Sequence, residues 1–271
     1  MKVFFFVPIL SLLLLGFKQD NLNKNKSFKN KDSSYVKNNI SSYSDLEIPL
    51  TKDKNSIICH TGYCFLYDES NEQSRWVAYK MTKEKAITKA ASRNNKFIPD
   101  PLVKTETADD KDYLKSGYDR GHLAPAADMT WSKKAMQESF YYSNISPQLP
   151  AFNRGIWKKL EELVRFWVIE YDELYIVTGP VLSDNLKKIG NNKVSVPLYF
   201  YKVILDYKLP EIKAIGFIIP NKGISKPLYN FAVSIDSVEK VTGIDFFYQL
   251  DDKEEEKIER NNCINCWIWK Q

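Results

Sequence analysis

Two histidines, His60 and His122, are the only imidazole side chains in the 271-residue sequence. Histidine is the side chain best suited to accept a proton near neutral pH, so these positions are the first candidates for a general base. His60 lies in the apolar segment ICHTGYC. This setting favours a structural histidine, or a spare zinc ligand, over a catalytic one. His122 follows Asp119 and Arg120 in the segment YDRGHLAPAADM, which alone also fits a strand with a surface ion pair.

A second group of residues recurs at four-residue spacing downstream, at Asn153, Trp157, Glu161 and Arg165. This spacing places them along one stripe of a helix. An amide oxygen near a carboxylate is a donor set that Mg²⁺ accepts, since this ion prefers hard oxygen ligands. The structural alternative is that Asn153 caps the helix, Trp157 enters the core, and Glu161 pairs with Arg165.

The composition is that of a globular protein, with 44% hydrophobic and 27% charged residues, and it excludes wholesale disorder. The formal net charge is +5, from 39 basic and 34 acidic residues. This excess permits a polyanionic partner without requiring one. The sequence contains no internal repeat and no glycine-rich loop that would cradle a phosphate.

The elements that must position these residues follow from hydrophobic periodicity. Strands are predicted at 56–68, 75–82, 174–179, 197–205 and 212–219. Helices are predicted at 83–93, at 133–142 after a Ser132 cap, at 153–167, and from a capping box of Asp236 and Glu239 to a stop at Gly243. The acidic segment 251–260 is predicted to be a solvated helix or tail. This order predicts an α+β fold with central antiparallel or mixed β-sheets flanked by helices.

The N-terminus has the pattern of a targeting segment. An apolar run at 3–17 follows Met1 and Lys2, and it is shorter than the roughly 20 residues of a membrane-spanning helix. We predict a signal peptide or uncleaved anchor at 1–17, a disordered Asn/Lys/Ser-rich linker at 18–45, and a folded domain at 46–271. The protein is accordingly expected to be secreted, periplasmic or anchored on the outer side of a membrane, which it would contact only through this segment.

Four cysteines lie in two pairs, Cys59 with Cys64 and Cys263 with Cys266. An oxidising compartment favours disulfides, in any of three pairings. A zinc site with four thiolates is the main alternative, and buried free thiols are a third.

Three motifs then occur in order: DRGH at 119–122, SNISPQ at 143–148, and Asn153 followed by Trp157 and Leu160-Glu161. The stretch 118–165 resembles the DNA/RNA non-specific endonucleases, the ββα-metal nucleases of the Serratia nuclease and endonuclease G type. The likeness extends over about 57–247, through segments such as WVAY, SRNNKFIPDP and VTGPV. It implies a ββα-metal active-site core inside the α+β fold.

The resemblance implies a role for each of the main motif residues. His122 would be the general base, Asn153 would bind Mg²⁺ directly, and Glu161 would hold water on the metal. Arg93 and Arg120 would grip the phosphate, because their forked donors suit a bidentate contact.

Three further positions are given supporting roles by the same resemblance. Asn144 would position the histidine or the water around the metal. Arg165 would steady Glu161 or contact the substrate. Asp119 would orient its neighbours rather than act as an acid.

The implied function is an exported Mg²⁺-dependent endonuclease, with Mn²⁺ as a substitute, that hydrolyses DNA and RNA to 5′-phosphate ends. It would need no organic cofactor, and the sequence leaves a homodimer open. Binding through phosphates predicts little sequence preference and weaker binding at high salt. A neutral general base predicts that activity falls below about pH 6.5. The alternatives are a catalytically inactive nucleic-acid-binding module and a zinc-stabilised surface interaction protein.

Overall fold

A computed structural model describes residues 45–269 of the chain. The predicted N-terminal segment at 1–17 lies outside the described residues, as does the predicted linker at 18–45 apart from Asp45. Among the described residues, no helix combines the length and the apolar character needed to cross a bilayer.

The described residues form short and long strands interspersed with helices. The strands are β1 (Ile57–Cys59), β2 (Cys64–Asp68), β3 (Gln73–Thr82), β4 (Asp119–His122), β5 (Ile145–Gln148), β6 (Glu173–Pro180), β7 (Lys188–Ile189), β8 (Val194–Ser195), β9 (Tyr199–Asp206), β10 (Lys213–Pro220) and β11 (Ala232–Val233). The α-helices are α1 (Lys83–Ile87), α2 (Asp110–Tyr113), α3 (Lys133–Glu138), α4 (Lys158–Tyr171), α5 (Ile235–Thr242) and α6 (Asp252–Arg260). A π-helical turn at Phe152–Trp157 leads directly into α4, and 3₁₀ turns lie at Lys54–Ser56, Ala126–Met129, Tyr142–Asn144, Leu228–Phe231 and Ile264–Cys266.

A seven-stranded sheet of order β1-β2-β3-β6-β9-β10-β11 forms the centre of the fold, and each neighbouring pair is antiparallel. Two separate hairpins, β4–β5 and β7–β8, lie outside this sheet. The structure therefore confirms the predicted α+β fold with antiparallel sheets.

The central sheet buries both of its faces, because successive side chains of a strand point to opposite sides. On β3, Val77 and Tyr79 enter a core that includes the apolar side chains of α4. Trp76 and Ala78, from the same strand, enter a second core with Ile235 of α5 and Ile258 of α6. Helix α4 thus covers one face of the sheet, while α5 and α6 cover the other.

The helix predicted at 153–167 is confirmed as the main helix of the first face. Its predicted apolar side, formed by Ile156, Leu160, Leu163 and Val164, is buried. By contrast, the helix predicted at 83–93 ends at Ile87. Beyond it the backbone N–H groups of Ala90 and Ala91 both donate to the carbonyl of Thr130, so tertiary hydrogen bonds replace helical ones.

The segment predicted as one strand at 56–68 is a hairpin. It reverses between Cys59 and Cys64, whose disulfide closes the turn. The second disulfide joins Cys263 and Cys266. The preference for disulfides over zinc is confirmed, since all four cysteines are paired and none offers a thiolate.

The caps of the C-terminal helices differ from the prediction. Ser234, not Asp236, caps α5 by accepting from the backbone N–H of Ser237, while Gly243 ends the helix in the left-handed conformation as expected. Glu239 instead accepts a hydrogen bond from the backbone N–H of Phe246. Helix α6 is also not simply solvated, because Ile258 packs into the second core.

Candidate active site

The three motifs fold into one unit in which the β4–β5 hairpin precedes the π-helical turn and α4. Strand β4 carries DRGH and pairs with β5, so that His122 lies opposite Ile145 and Gly121 opposite Ser146. A Cβ atom at Gly121 would lie 2.2 Å from the side-chain Cδ of Gln148, so only glycine fits there. The glycine of DRGH is therefore required by packing inside the hairpin.

His122 is nearly enclosed, with 8% of its surface exposed. Its ring centroid lies 4.8 Å from that of Phe140 and 5.5 Å from that of Phe97. Its Nε2 atom is buried and has no hydrogen-bond partner among the described residues. Burial, with a further contribution from the charge of Arg93, lowers the pKa of His122 to about 3, so the imidazole is neutral at physiological pH.

The two aromatic rings beside His122 each carry an arginine. The Arg93 guanidinium carbon lies 5.2 Å from the Phe140 ring centroid, and that of Arg120 lies 4.5 Å from the Phe97 ring centroid. Arg93 is exposed, and Arg120 is exposed but ion-paired with Asp110. The sequence-predicted pair of arginines thus flanks the histidine on two sides.

The side chain of Asn144 makes its hydrogen bonds to backbone groups and does not face a ligand site. Its Oδ1 accepts from the N–H of Ala124 at 2.8 Å, and its Nδ2 donates to the carbonyls of Ala124 and Ser139. The Asn144 carbonyl also accepts from the N–H of Leu123, directly after His122. The side chain is fully buried and its amide is used by backbone groups, so Asn144 fixes the chain directly after His122.

Asn153 lies within the π-helical turn and does not cap the helix, contrary to the structural alternative. Its Nδ2 donates to Oδ2 of Asp119 at 2.9 Å, which orients the amide and leaves Oδ1 without a described donor. Arg154 grips the same carboxylate at 2.8 and 2.6 Å. Although burial favours protonation of Asp119, the hydrogen bonds from Arg154 and Asn153 hold its pKa below the ordinary value. Asp119 therefore holds the Asn153 amide and the Arg154 guanidinium in place.

Glu161 belongs to a partly buried network of charges at the start of α4. Burial raises its pKa, Lys202 and Arg165 oppose this shift, and Asp128 adds to it. Arg165 does not make the i,i+4 ion pair with Glu161. Its Nη1 instead donates to Oδ1 of the buried Asp128 at 2.8 Å. Tyr79 donates to the other oxygen of Asp128 at 2.9 Å.

Lys202 is the site residue that sequence reasoning missed most completely. It is fully buried on β9, and its Nζ has no hydrogen-bond partner within residues 45–269. The ammonium lies 5.0 Å from the ring centroid of Trp157. Burial lowers the pKa of Lys202, and the negative charge of Glu161 raises it. Its segment, PLYFYKVIL, is typical of a buried strand. The single lysine in this apolar run was the signal from which a buried charge could have been predicted.

His60 is structural, as its apolar setting indicated. Its Nε2 lies 2.7 Å from Oδ2 of the buried Asp100, and its ring stacks on Phe65. Ser143 also donates to this carboxylate oxygen at 2.5 Å. The ring is thus satisfied by structural partners away from the cluster around His122.

The structure brings most of the sequence-predicted residues together. Arg93 acts electrostatically on both His122 and Glu161, so these two groups share one neighbourhood. Asn153 is bound to Asp119, three residues before His122 on β4. Arg165 belongs to the same charge network, but it contacts Asp128 and not Glu161.

Comparison with known proteins gives a consistent match. The family model described as DNA/RNA non-specific endonuclease matches residues 42–253. The chain is 38% identical over 207 residues to mitochondrial nuclease EXOG of Danio rerio, covering 70% of this chain and 60% of the relative. It is 34% identical over 199 residues to mitochondrial endonuclease G of Homo sapiens, covering 68% and 67%. The crystal structure of an EndoG/EndoGI complex matches with a TM-score of 0.70 and 32% identity, covering 80% of this chain and 94% of that chain.

The names of these relatives contradict one prediction. Nuclease EXOG, endonuclease G and a nuclease of Saccharomyces cerevisiae are all named mitochondrial, so the expectation of a secreted, periplasmic or extracytoplasmic enzyme is wrong. The chain matches 57–60% of the length of the EXOG relatives.

Proposed function

Because the chain belongs to the DNA/RNA non-specific endonuclease family, we propose that it hydrolyses phosphodiester bonds of DNA and RNA with the help of Mg²⁺. The products would carry 5′-phosphate ends. The observation that carries this proposal is the neutral imidazole of His122. Its Nε2 has no hydrogen-bond partner among the described residues, and the ring lies between two aromatic rings that each hold an arginine.

His122 is the general base in this proposal. A base must be neutral to accept a proton, and burial keeps this imidazole neutral well below its ordinary pKa. It takes the proton from the water that attacks phosphorus. Titration of His122 therefore does not limit activity near pH 6.5, and the acidic limb of the pH–activity profile is set by Glu161, whose pKa burial raises.

Arg93 and Arg120 bind the phosphate. Both are exposed, both lie beside the rings that hold His122, and a guanidinium can donate two parallel hydrogen bonds to phosphate oxygens. Arg120 breaks its ion pair with Asp110 when it binds the substrate phosphate. Contacts with phosphate read no base identity, which supports cleavage with little sequence preference.

The residues present fit a divalent cation. Asp119 turns the Asn153 amide so that its oxygen is the free atom, and Mg²⁺ prefers such neutral or anionic oxygen ligands. Asn153 would hold the ion, and Mn²⁺ would substitute. The bound ion would neutralise charge on the phosphate and on the leaving 3′-oxygen.

Glu161 is proposed to accept hydrogen bonds from water in the site. This role requires the ionised carboxylate, and the nearby Lys202, Arg165 and Arg93 all favour ionisation. Asn144 and Asp119 position His122 and Asn153. Arg165 steadies the network through Asp128.

The proposal is tested by incubating purified full-length protein with plasmid DNA and with RNA, in Mg²⁺ and in EDTA. We expect both substrates to be cut in Mg²⁺ alone, and His122→Ala to reduce cutting by roughly 10²–10⁴-fold. His60→Gln is the matched control, because glutamine retains a hydrogen-bond donor for Asp100. This variant should cleave both substrates at the wild-type rate. Full cutting in EDTA, or normal cutting by His122→Ala, would disprove the proposal.

A further inference from the structure

A group of carboxylates connects α5 and α6 on the second face of the central sheet, opposite the face covered by α4. Ligand atoms of Asp236, Glu239 and Glu259 lie within 4.8 Å of one another. Asp236 and Glu239 are one turn apart on α5, and Glu259 comes from the last turn of α6. The group therefore joins two helices that are otherwise held by their apolar sides against the sheet.

Glu259 is an unusual member of this group. It is 7% exposed, and its Oε1 is buried without a hydrogen-bond partner in the described part of the chain. A buried carboxylate oxygen without a donor is costly, because the charge loses water and gains nothing in return. The atom is therefore short of a positively charged or hydrogen-bonding partner.

The charged groups that act most strongly on Glu259 are Glu239, Glu255, Asp236 and Asp245, all of them acidic. Burial and these four carboxylates raise the pKa of Glu259. Glu239 has one oxygen engaged by the N–H of Phe246, which orients the side chain. The cluster thus concentrates negative charge at a point where no lysine or arginine of residues 45–269 forms an ion pair with any of the three carboxylates.

We propose that Asp236, Glu239 and Glu259 form a binding site for Ca²⁺ that joins α5 to α6. Calcium takes six to eight oxygens at about 2.3–2.6 Å, so ligand oxygens across its coordination sphere lie about 5 Å apart. Atoms within 4.8 Å of one another can all contact one ion of this size. Mg²⁺ usually keeps several waters and binds through one or two carboxylates, so a cluster of three carboxylates favours Ca²⁺.

This site is separate from the proposed nuclease centre and does not depend on it. The central sheet lies between the two, since α4 packs in the first core and α5 and α6 pack in the second. The bound ion would stabilise the fold by neutralising the cluster and tying the two helices together.

The experiment compares the thermal unfolding of metal-free full-length protein in EDTA, CaCl₂ and MgCl₂. Wild-type protein is expected to gain about 5–10 °C in Tm when Ca²⁺ exceeds its Kd 100-fold, and less with Mg²⁺. Glu259→Gln should lose this gain. Glu256→Gln is the matched control on the same helix, because Glu256 is exposed and paired with Arg260. It should respond to Ca²⁺ as wild type does.

Asp236→Asn provides a second test if Glu259→Gln fails to fold, since Asp236 is exposed and its loss spares the core. A Ca²⁺ response at the nuclease centre would be common to all variants and cancels in the comparison. A wild-type Tm that does not change with Ca²⁺, or the same gain in Glu259→Gln and wild type, would overturn the proposal. A gain from Mg²⁺ equal to that from Ca²⁺ would overturn the assignment of the ion.

Discussion

His122 combines a motif position with a buried environment, and only the first could be predicted from the sequence. The resemblance carried by the DRGH motif implied that this histidine is a general base. Its neighbours Phe97 and Phe140 come from segments on either side of the motif, and no local pattern indicates that both rings contact the imidazole. The lowered pKa of His122 follows from this tertiary burial, so the sequence alone suggested an ordinary value near 6.5.

This burial predicts a stability effect below neutral pH. The pKa of His122 is about 3 in the folded protein against 6.5 for the free side chain, so between these values only the unfolded chain binds the proton. The contribution of neutral His122 to the free energy of unfolding is therefore fully present above pH 6.5 and is lost as the pH falls toward 3. Between pH 7.5 and 5, wild type should lose about 2 kcal/mol more unfolding free energy than His122→Asn.

The measurement is urea unfolding of both proteins at the two pH values. Other titrating groups affect both proteins alike, so the difference reports on His122. Equal losses in wild type and His122→Asn would show that the imidazole titrates normally in the folded state.

Lys202 gives a second prediction at the level of a single residue. Its charge favours the ionised form of Glu161, so Lys202→Met should raise the pKa of Glu161 further. We expect the acidic limb of the pH–activity profile to move to higher pH, with roughly 10–100-fold less activity at pH 7. Methionine keeps the volume of the buried side chain but leaves the Glu161 carboxylate without the charge of Lys202, so Tm should also fall. Lys240→Met, at an exposed position of α5, is the control. An unshifted profile would contradict a role for Lys202.

At the level of elements, the hairpin and helix of the site were predictable, but their junction was not. The family resemblance implied a ββα-metal core, and the apolar side of α4 was predicted residue by residue. The entry to the helix is instead a π-helical turn, with Gly155 outside helical dihedral angles at φ −105° and ψ −111°. The structural alternative, in which Asn153 caps a regular helix, is not realised. The carboxylate of Asp119, contributed by a different element, draws its amide away from that role.

The link between β4 and the helix predicts how Asp119 contributes. Asp119→Asn removes the charge that orients the Asn153 amide, so the Mg²⁺ concentration for half-maximal cleavage should rise roughly 10–100-fold. Arg154→Ala is the matched comparison, because it removes the other partner of Asp119 and leaves the Asn153 contact in place. Its effect on Mg²⁺ dependence should be much smaller. Equal effects of the two substitutions would assign the role to the ion pair instead.

At the scale of the whole molecule, the sequence indicated the fold class and the main strands. The packing of the two faces of the central sheet into two separate cores was not predictable, because it depends on which strands become neighbours over long sequence separations. The helix predicted at 83–93 failed because tertiary hydrogen bonds to Thr130 replace helical ones, and the cap predicted at Asp236 failed because Ser234, two residues earlier, caps the helix instead. The same limit hid Lys202 and the acidic group on the second face.

The distribution of charge predicts a salt dependence for the whole protein. Phosphate binding through arginines releases counterions, so KM for DNA should rise steeply with NaCl concentration. Arg120→Ala should raise KM. It should also lower the slope of log KM against log NaCl concentration by about one, which corresponds to one lost phosphate contact. Lys240→Ala removes one positive charge from the second face of the sheet and should leave the slope unchanged. Equal slopes for all three proteins would exclude Arg120 from phosphate binding.

The most direct test of the account is a Mg²⁺ titration of the DNA cleavage rate for wild type, His122→Ala and Asn153→Ala. We predict that His122→Ala lowers the maximal rate by roughly 10²–10⁴-fold and leaves the half-saturating Mg²⁺ concentration unchanged. Asn153→Ala should raise that concentration, because it removes the amide oxygen that Asp119 orients. A wild-type maximal rate in His122→Ala, or a wild-type Mg²⁺ requirement in Asn153→Ala, would contradict the account.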